Sequence, residues 1–167
     1  MIEHHLAQIN IARLLAPIDD PMLAEFVANL APINALADDS PGFVWRFQTA
    51  AGNATAVRPY DDDFIIINFS VWESLDALQT FVYKSAHAEI MRKRRQWFEK
   101  MSDLYLALWW VPAGHLPGWE EAKARLDHLQ CNGDSAYAFT FRRLFSPDGD
   151  DLENSELAGS IHERATP

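Results

Sequence analysis

Three polar residues stand where they could do acid–base or hydrogen-bonding chemistry in an otherwise apolar site. Asn10 and Arg46 lie in short segments of alternating apolar residues, and His87 lies within a long helical pattern. An imidazole titrates near neutral pH, so His87 could act as a general base toward a phenol or an enol. Asn10 and Arg46 could orient such a substrate by hydrogen bonding to its oxygen atoms. These are the candidate catalytic residues, although each could instead face solvent or pair within the protein.

Aromatic and polar residues elsewhere in the chain could complete the walls of such a site. The sequence has six Trp and ten Phe, and aromatic walls suit a planar substrate and keep water from a reactive carbanion. The same side chains would serve equally well in a core or a dimer interface. Trp109 and Trp110 are adjacent in a predicted strand, so only one of them can face a given cavity. The candidate substrate-binding residues are Trp45, Asn68, Trp72, Phe81, Met91, Trp97 and Trp110.

The sequence lacks the residue patterns typical of metal sites, nucleophilic catalysis and phosphate binding. The remaining histidines are scattered, and His87 and Glu89 would point to opposite sides of a helix, so we expect no metal site. Cys131 precedes Asn-Gly in a predicted turn and has no neighbouring histidine, which argues against a nucleophile. The chain contains no glycine-rich phosphate loop and no G-x-S-x-G motif.

The net charge argues against binding to nucleic acid. The 167 residues include 24 acidic and 14 basic side chains, giving a formal charge of −10, and phosphate neutralisation needs the opposite balance. One basic run, Arg92-Lys93-Arg94-Arg95, interrupts the pattern. Successive helical residues are about 100° apart, so at most two of these side chains can reach any one ligand. We expect no nucleic-acid partner.

Acidic residues are concentrated at the C-terminus. Residues 146–167 contain six Asp or Glu and one Arg, with few large apolar side chains. This composition predicts a solvated tail. The expected organisation is a single domain over residues 1–145, followed by an acidic tail over residues 146–167.

The cellular location follows from cysteine content and hydropathy. The sequence has one cysteine and no apolar run approaching the roughly 20 residues that span a bilayer. Its start lacks the basic, apolar and small-residue order of a secretory signal. We expect a cytoplasmic protein with no membrane partner.

Hydrophobic periodicity predicts an alternation of strands and helices. The predicted strands are 5–14, 43–49, 64–71, 104–111 and 137–144, and the predicted helices are 21–36, 74–102 and 119–129. The long second helix carries two apolar stripes rotated by roughly 100°, which predicts a bend or a new helix near residues 84–89.

This order predicts an α+β fold of the ferredoxin-like βαββαβ type, with an added αβ unit. In that arrangement the helices cover one face of an antiparallel sheet and leave the other face open. A second copy of the chain is the usual cover, so we expect a homodimer.

Several motifs, taken in order, resemble the antibiotic biosynthesis monooxygenase superfamily. Asn10 lies near the end of the first strand, and Val71-Trp72-Glu73-Ser74 leads into a helix that carries Phe81 and then His87. The chain is also similar to an uncharacterised bacterial family placed in that superfamily, with His-Leu-Ala-Gln-Ile-Asn-Ile early and Leu-Trp-Trp-Val-Pro-Ala-Gly-His later. The superfamily resemblance covers roughly residues 5–111.

The resemblance implies a dimeric α+β barrel with one pocket per subunit between sheet and helices. Superfamily members include cofactor-independent monooxygenases acting on polyketide phenols and haem-degrading oxygenases that use Asn, Trp and His. Asn10 matches the first-strand Asn, whereas Phe81 falls where the haem-degrading members have Trp. Met91, rather than His87, falls at their haem-ligand position, so the chain departs from the haem pattern.

We therefore expect a small-molecule enzyme, a cofactor-independent monooxygenase acting on an aromatic or enolisable substrate. One alternative is a haem-binding or haem-degrading protein. Another is a non-catalytic dimeric module that binds a small molecule, and a third is a different reaction, such as an isomerisation, in the same barrel. Fold analogy alone does not separate them.

Overall fold

The fold is built on one four-stranded antiparallel sheet. The structure is a computed structural model that describes residues 3–48 and 60–152. The strands are β1 (His4–Arg13), β2 (Phe43–Arg46), β3 (Ile65–Trp72) and β4 (Leu106–Pro112). They lie in the order β2-β3-β1-β4, and each neighbouring pair is antiparallel. The predicted ferredoxin-like α+β class is confirmed.

In the part of the chain that the structure describes, four α-helices connect or follow the strands: α1 (Ala24–Asp38), α2 (Leu75–Lys84), α3 (His87–Lys93) and α4 (Trp119–Asn132). Asp20 caps a 3-10 turn, Pro21–Leu23, that leads into α1. The predicted break in the long helix is confirmed, because Ser85 takes an extended backbone between α2 and α3. Within the described residues, no helix has the length and apolar character needed to cross a membrane.

The strand register separates polar and apolar side chains onto the two faces of the sheet. Gln8 pairs with Ser70, and Asn10 pairs with Asn68, so these side chains share one face. The residues between them, such as Ile9 and Phe69, point to the other face. Helices α1, α2 and α3 cover the polar face, where the cavity described below is found.

The second face of the sheet is covered by α4, contrary to the expectation that it is open. Leu126 and Leu129 of α4 pack against Ile9, Phe69 and Trp109, and none of these side chains is more than 1% exposed. One chain therefore supplies the cover that the sequence argument assigned to a second copy. The open-face argument for a homodimer is wrong, and the dimer stays a prediction from the resemblance alone.

Residues 137–144, predicted as a strand, form no regular strand. Phe139 makes one isolated antiparallel bridge with Leu108, with N–H···O distances of 2.7 and 2.9 Å. The next bridge joins Thr140 to Arg143 within a tight turn. This turn folds the chain back at once, so pairing with β4 cannot continue along the edge.

Part of the expected acidic tail folds back onto the domain. The Leu152 amide donates to the Leu144 carbonyl at 3.0 Å, and Arg143 forms an ion pair with Asp151 at 2.7 Å. Residues 153–167 of the predicted tail lie outside the described residues.

Candidate functional site

A cavity of about 210 Å³ lies between the polar face of the sheet and helices α1, α2 and α3. The elements position the site directly: β1 and β3 form its floor, and the three helices form its walls. Most of the lining is apolar, which is typical of small-molecule sites. The sequence-predicted site residues that line it are Asn10, Arg46, Asn68, Trp72, Phe81, His87 and Met91.

A row of aromatic rings forms one wall. Phe43 meets Trp72 edge to face with ring centroids 5.3 Å apart, and Trp72 stacks on Phe81 at 5.1 Å. The Phe81 ring in turn contacts the His87 ring at 4.9 Å. These contacts hold the rings in one arrangement, so the imidazole lies at the end of a packed aromatic wall.

The floor is a buried polar network that sequence reasoning missed. Ser70 Oγ accepts hydrogen bonds from Gln8 Nε2 at 3.0 Å and from Trp72 Nε1 at 2.9 Å. Gln8 Oε1 accepts from Asn10 Nδ2 at 3.1 Å. Gln8 and Ser70 occupy the same strand face as Asn10 and Asn68. The alternation of β1 and β3 places Gln8 and Ser70 on the same face as the predicted site residues, and this pattern could have identified them from the sequence.

Two carboxamides on this floor keep hydrogen-bonding capacity for a ligand. Asn68 is exposed within the cavity, and its side chain makes no hydrogen bond to any described residue. Asn10 uses only Nδ2 among the described residues, which leaves Oδ1 as an acceptor. Directly opposite side chains in antiparallel strands have Cβ atoms about 5 Å apart, so both amides can reach one ligand group.

His87 is a half-buried imidazole held neutral by its surroundings. Burial lowers its pKa below the ordinary value of 6.5, and the nearby Val82 carbonyl offsets this only in part. Nδ1 lies 3.5 Å from that carbonyl oxygen. A proton on Nδ1 faces the carbonyl, so Nε2 keeps its lone pair and is the basic nitrogen of the ring.

Arg46 lines the cavity but already has an acidic partner. Its Nε and Nη2 donate to the two carboxylate oxygens of Asp38 at 2.7 and 3.1 Å. A bulge between Phe43 and Trp45 shifts the strand, so that Phe43 and Arg46 share the cavity face. The paired carboxylate compensates the charge of Arg46 and fixes its position.

Three predicted tryptophans lie away from the cavity. Trp45 points to the opposite face because of the bulge and packs on Phe69 with centroids 5.3 Å apart. Trp97 is 1% exposed within a separate small core. Trp110 Nε1 donates to the Phe145 carbonyl at 2.7 Å, because the segment after α4 lies over it. Periodicity identified these rings as inward-facing but not which core each would join.

Arg94 and Tyr105 line the cavity and were not among the predicted site residues. Within the basic run Arg92-Lys93-Arg94-Arg95, Arg94 is the residue that lines the cavity. This agrees with the expectation that helical spacing lets at most two of these side chains reach one ligand. Its Nη1 donates to Tyr105 Oη at 2.9 Å, and its guanidinium lies 4.6 Å from the centre of the Tyr105 ring. The end of α3 thereby places a cation against the cavity.

The cavity holds no cluster of metal ligands. Across residues 3–48 and 60–152, no group of three or more His, Cys, Asp or Glu side chains is placed to hold a metal ion.

Several solved structures are similar to this chain. The cofactor-independent oxygenase SnoaB from Streptomyces nogalater is 21% identical over 68% of this chain and 98% of its own, with a TM-score of 0.46. PA3566 from Pseudomonas aeruginosa is 12% identical over 70% and 99%, with a TM-score of 0.45. The monooxygenase ActVA-Orf6 of Streptomyces coelicolor, solved with nanaomycin D, is 14% identical over 70% and 94%, with a TM-score of 0.35.

Family membership rests on a separate comparison. No curated protein matches the chain. Residues 5–155 match the model of a domain of unknown function, DUF3291. This span includes the whole cavity lining and every strand and helix described above, except the first residue of β1. The chain belongs to the DUF3291 family.

Proposed function

We propose that the chain is a cofactor-independent oxygenase that acts on a planar phenol or enol bound in the cavity. The observation that carries the proposal is a neutral imidazole on the wall of an apolar, aromatic-lined cavity, whose floor also offers the Asn68 carboxamide and the Asn10 Oδ1 acceptor. SnoaB, a protein similar to this chain, is described as a cofactor-independent oxygenase. The proposal itself rests on the residues of the cavity.

His87 removes the substrate proton in this proposal. The imidazole is uncharged near pH 7 because burial lowers its pKa. Its Nε2 therefore accepts the proton of a phenol or an enol and generates an electron-rich anion. The aromatic side chains of Phe43, Trp72 and Phe81 form the apolar wall beside the imidazole, against which the substrate ring packs.

The polar floor orients the substrate. Asn68 donates a hydrogen bond to a substrate oxygen atom, Asn10 Oδ1 accepts one from a substrate hydroxyl group, and Asp38 holds the Arg46 guanidinium in position at the cavity wall. The anion formed by His87 is stabilised by the Asn68 amide N–H group and by the Arg46 guanidinium, which are already in place before the proton moves.

Molecular oxygen then reacts with the anion directly. The anionic carbon gives two electrons to O₂ and forms a C–O bond, producing a hydroperoxide. Loss of water from the hydroperoxide leaves a quinone, so one oxygen atom enters the product and the other becomes water. The substrate supplies every electron, and the apolar walls keep bulk water from the anion.

Haem is the less favoured occupant. A cavity of about 210 Å³ is smaller than the roughly 300–1,000 Å³ of typical ligand pockets. A tetrapyrrole needs more space than a molecule of one or two rings, so the volume supports the smaller ligand.

The test combines oxygen uptake with isotope labelling. Purified protein is incubated with a panel of one- and two-ring phenols and quinols under ¹⁸O₂. We expect His87→Gln to lower the rate by about 10²- to 10⁴-fold, and the exposed-site control His115→Gln to leave it unchanged. The proposal would be contradicted if the wild-type protein consumed oxygen no faster than His87→Gln, or if its product contained no ¹⁸O.

A non-catalytic binding module is the second candidate, and one observation favours it. Asn10 donates to Gln8 and Arg46 is paired with Asp38, so both already have protein partners. A module of this kind binds phenols without consuming oxygen. Binding that quenches the fluorescence of Trp72, with the ligand mass unchanged after incubation, would establish this function instead.

We also propose the homodimer that the resemblance implies. Because α4 covers the second sheet face, the dimer interface must use other surface. Sedimentation equilibrium measures the mass directly, and a single species of 19.0 kDa across the concentration range would contradict the dimer.

A further inference from the structure

The cavity concentrates positive charge in an acidic protein. The formal net charge of the chain is −10. Among the described residues that line the cavity, two are arginines and none is Asp or Glu. A buried or partly buried charge attracts an opposite charge far more strongly than an exposed one does. This distribution favours an anionic ligand over a neutral or cationic one.

The two arginines differ in how their charge is compensated. Arg46 binds Asp38 through Nε and Nη2. Arg94 has no ion pair with any described residue, whereas its neighbours Arg92 and Lys93 are each paired with a glutamate. Arg94 therefore carries the uncompensated guanidinium charge at the cavity wall.

Tyr105 fixes the Arg94 guanidinium without neutralising it. Arg94 Nη1 donates to Tyr105 Oη at 2.9 Å, and the guanidinium lies over the ring at 4.6 Å. Nε and Nη2 of Arg94 make no hydrogen bond to the described part of the chain. These are the same two nitrogens through which Arg46 binds the Asp38 carboxylate, and their parallel N–H groups match a carboxylate.

We propose that the cavity's ligand carries a carboxylate and that Arg94 binds it through Nε and Nη2. The proposal rests on the proposed function only in taking this cavity as the substrate site. It narrows the substrate class to a phenol or an enol that also bears a carboxylate. Arg94 is then the residue that selects acids over otherwise identical neutral molecules.

A pair of ligands that differ only in the carboxylate tests this specificity. The probes are 6-hydroxy-2-naphthoate and 2-naphthol, and affinity is measured by isothermal titration calorimetry. We expect the wild-type protein to bind the naphthoate roughly 10- to 100-fold more tightly, the worth of a hydrogen-bonded charge pair. Arg94→Gln should abolish that preference while the affinity for 2-naphthol stays the same.

Two further variants separate the planar guanidinium from charge alone. Arg94→Lys keeps the charge but loses the two parallel donors, so it should retain only part of the preference. Arg95→Gln removes an exposed charge from the neighbouring residue and should retain all of it. Circular dichroism confirms that each variant is folded before its affinity is compared.

The outcomes distinguish this inference from the proposed function. Equal affinity for the two probes, or a preference that survives in Arg94→Gln, overturns the carboxylate proposal. If 2-naphthol still binds and is oxidised in a His87-dependent reaction, the proposed function stands without it. If neither probe binds, the carboxylate proposal fails, and the proposed function is decided by the oxygen-uptake panel of phenols and quinols.

Discussion

Replacing Ser70 with alanine removes the single acceptor that two buried donors share. Ser70 Oγ accepts from Gln8 Nε2 and Trp72 Nε1 at 3.0 and 2.9 Å. Gln8 is 5% exposed and Trp72 is 1% exposed, so both donors are almost completely withdrawn from bulk water. Ser70→Ala leaves both donors without a partner in a low-dielectric environment.

The expected loss of stability follows from leaving two buried donors without hydrogen-bond partners. Each buried donor that loses its partner costs about 1–3 kcal/mol. We expect the free energy of unfolding to fall by about 2–4 kcal/mol, because local relaxation recovers part of the sum. At about 2–4 °C per kcal/mol for a chain of this size, the Tm should fall by roughly 4–16 °C.

Equilibrium unfolding in urea and thermal unfolding followed by circular dichroism measure this loss. The matched control is Ser102→Ala, an exposed serine that makes no hydrogen bond to the described residues and should change stability by less than about 0.5 kcal/mol. A double-mutant cycle uses Trp72→Phe, which removes one of the two donors. In the Trp72→Phe background, Ser70→Ala leaves only the Gln8 donor without a partner, so the free energy of unfolding should fall by about half as much.

Two results would refute this reasoning about the cavity floor. The first is a loss below about 1 kcal/mol for Ser70→Ala, which would mean that the donors find other partners. The second is an equal loss in the wild-type and Trp72→Phe backgrounds, which would mean that the indole N–H does not depend on Ser70.

The remaining predictions test the imidazole, one glycine and α4. Because the pKa of His87 is lowered in the folded state, the unfolded chain binds a proton at this imidazole more readily than the folded protein does, and stability should fall as the pH drops below about 6.5. The Tm of His87→Gln should therefore decrease less between pH 7 and pH 5 than the Tm of the wild-type protein. An equal decrease in the two proteins would refute the lowered pKa of His87. Gly42 has φ +77° and a Cβ there would lie 2.6 Å from the Ala77 Cβ, so Gly42→Ala should cost about 2–4 kcal/mol in urea unfolding. Gly114, with φ +87° and open space around it, is the control, and Gly114→Ala should cost only about 1–2 kcal/mol; equal costs would contradict the close approach. Leu126→Ala removes a fully buried side chain of α4 and should cost about 2–5 kcal/mol by the same assay, whereas a negligible cost would show that α4 does not cover the sheet.

The first and third strands and the helix break could be predicted because single periodicities determine them. Alternation in the first and third strands places Asn10 and Asn68 on one face, and the register pairs them directly. The two rotated apolar stripes of the long helix require the break that Ser85 makes. Local pattern sufficed in both cases, because each element buries one continuous face.

Tertiary contacts determined what the sequence could not reveal. A bulge reversed the alternation between Phe43 and Trp45, and a bulge has no period to detect. As polar residues in alternating strands, Gln8 and Ser70 fit a solvent-exposed face. Their burial is explained by the hydrogen bond between their side chains, which the sequence does not show. The apolar stripe of α4 was evident, but nothing local shows that it packs on the sheet face assigned to a second copy.

The sheet divides the molecule into two layers that can change independently. Neighbouring residues of one strand belong to different layers: Ala7 and Ile9 hold the side beneath α4, while Gln8 and Asn10 face the cavity. Substitutions on the cavity side can therefore change the cavity lining while the α4 side continues to anchor the fold. Inserting one residue into β1 would exchange the two layers and destroy both at once.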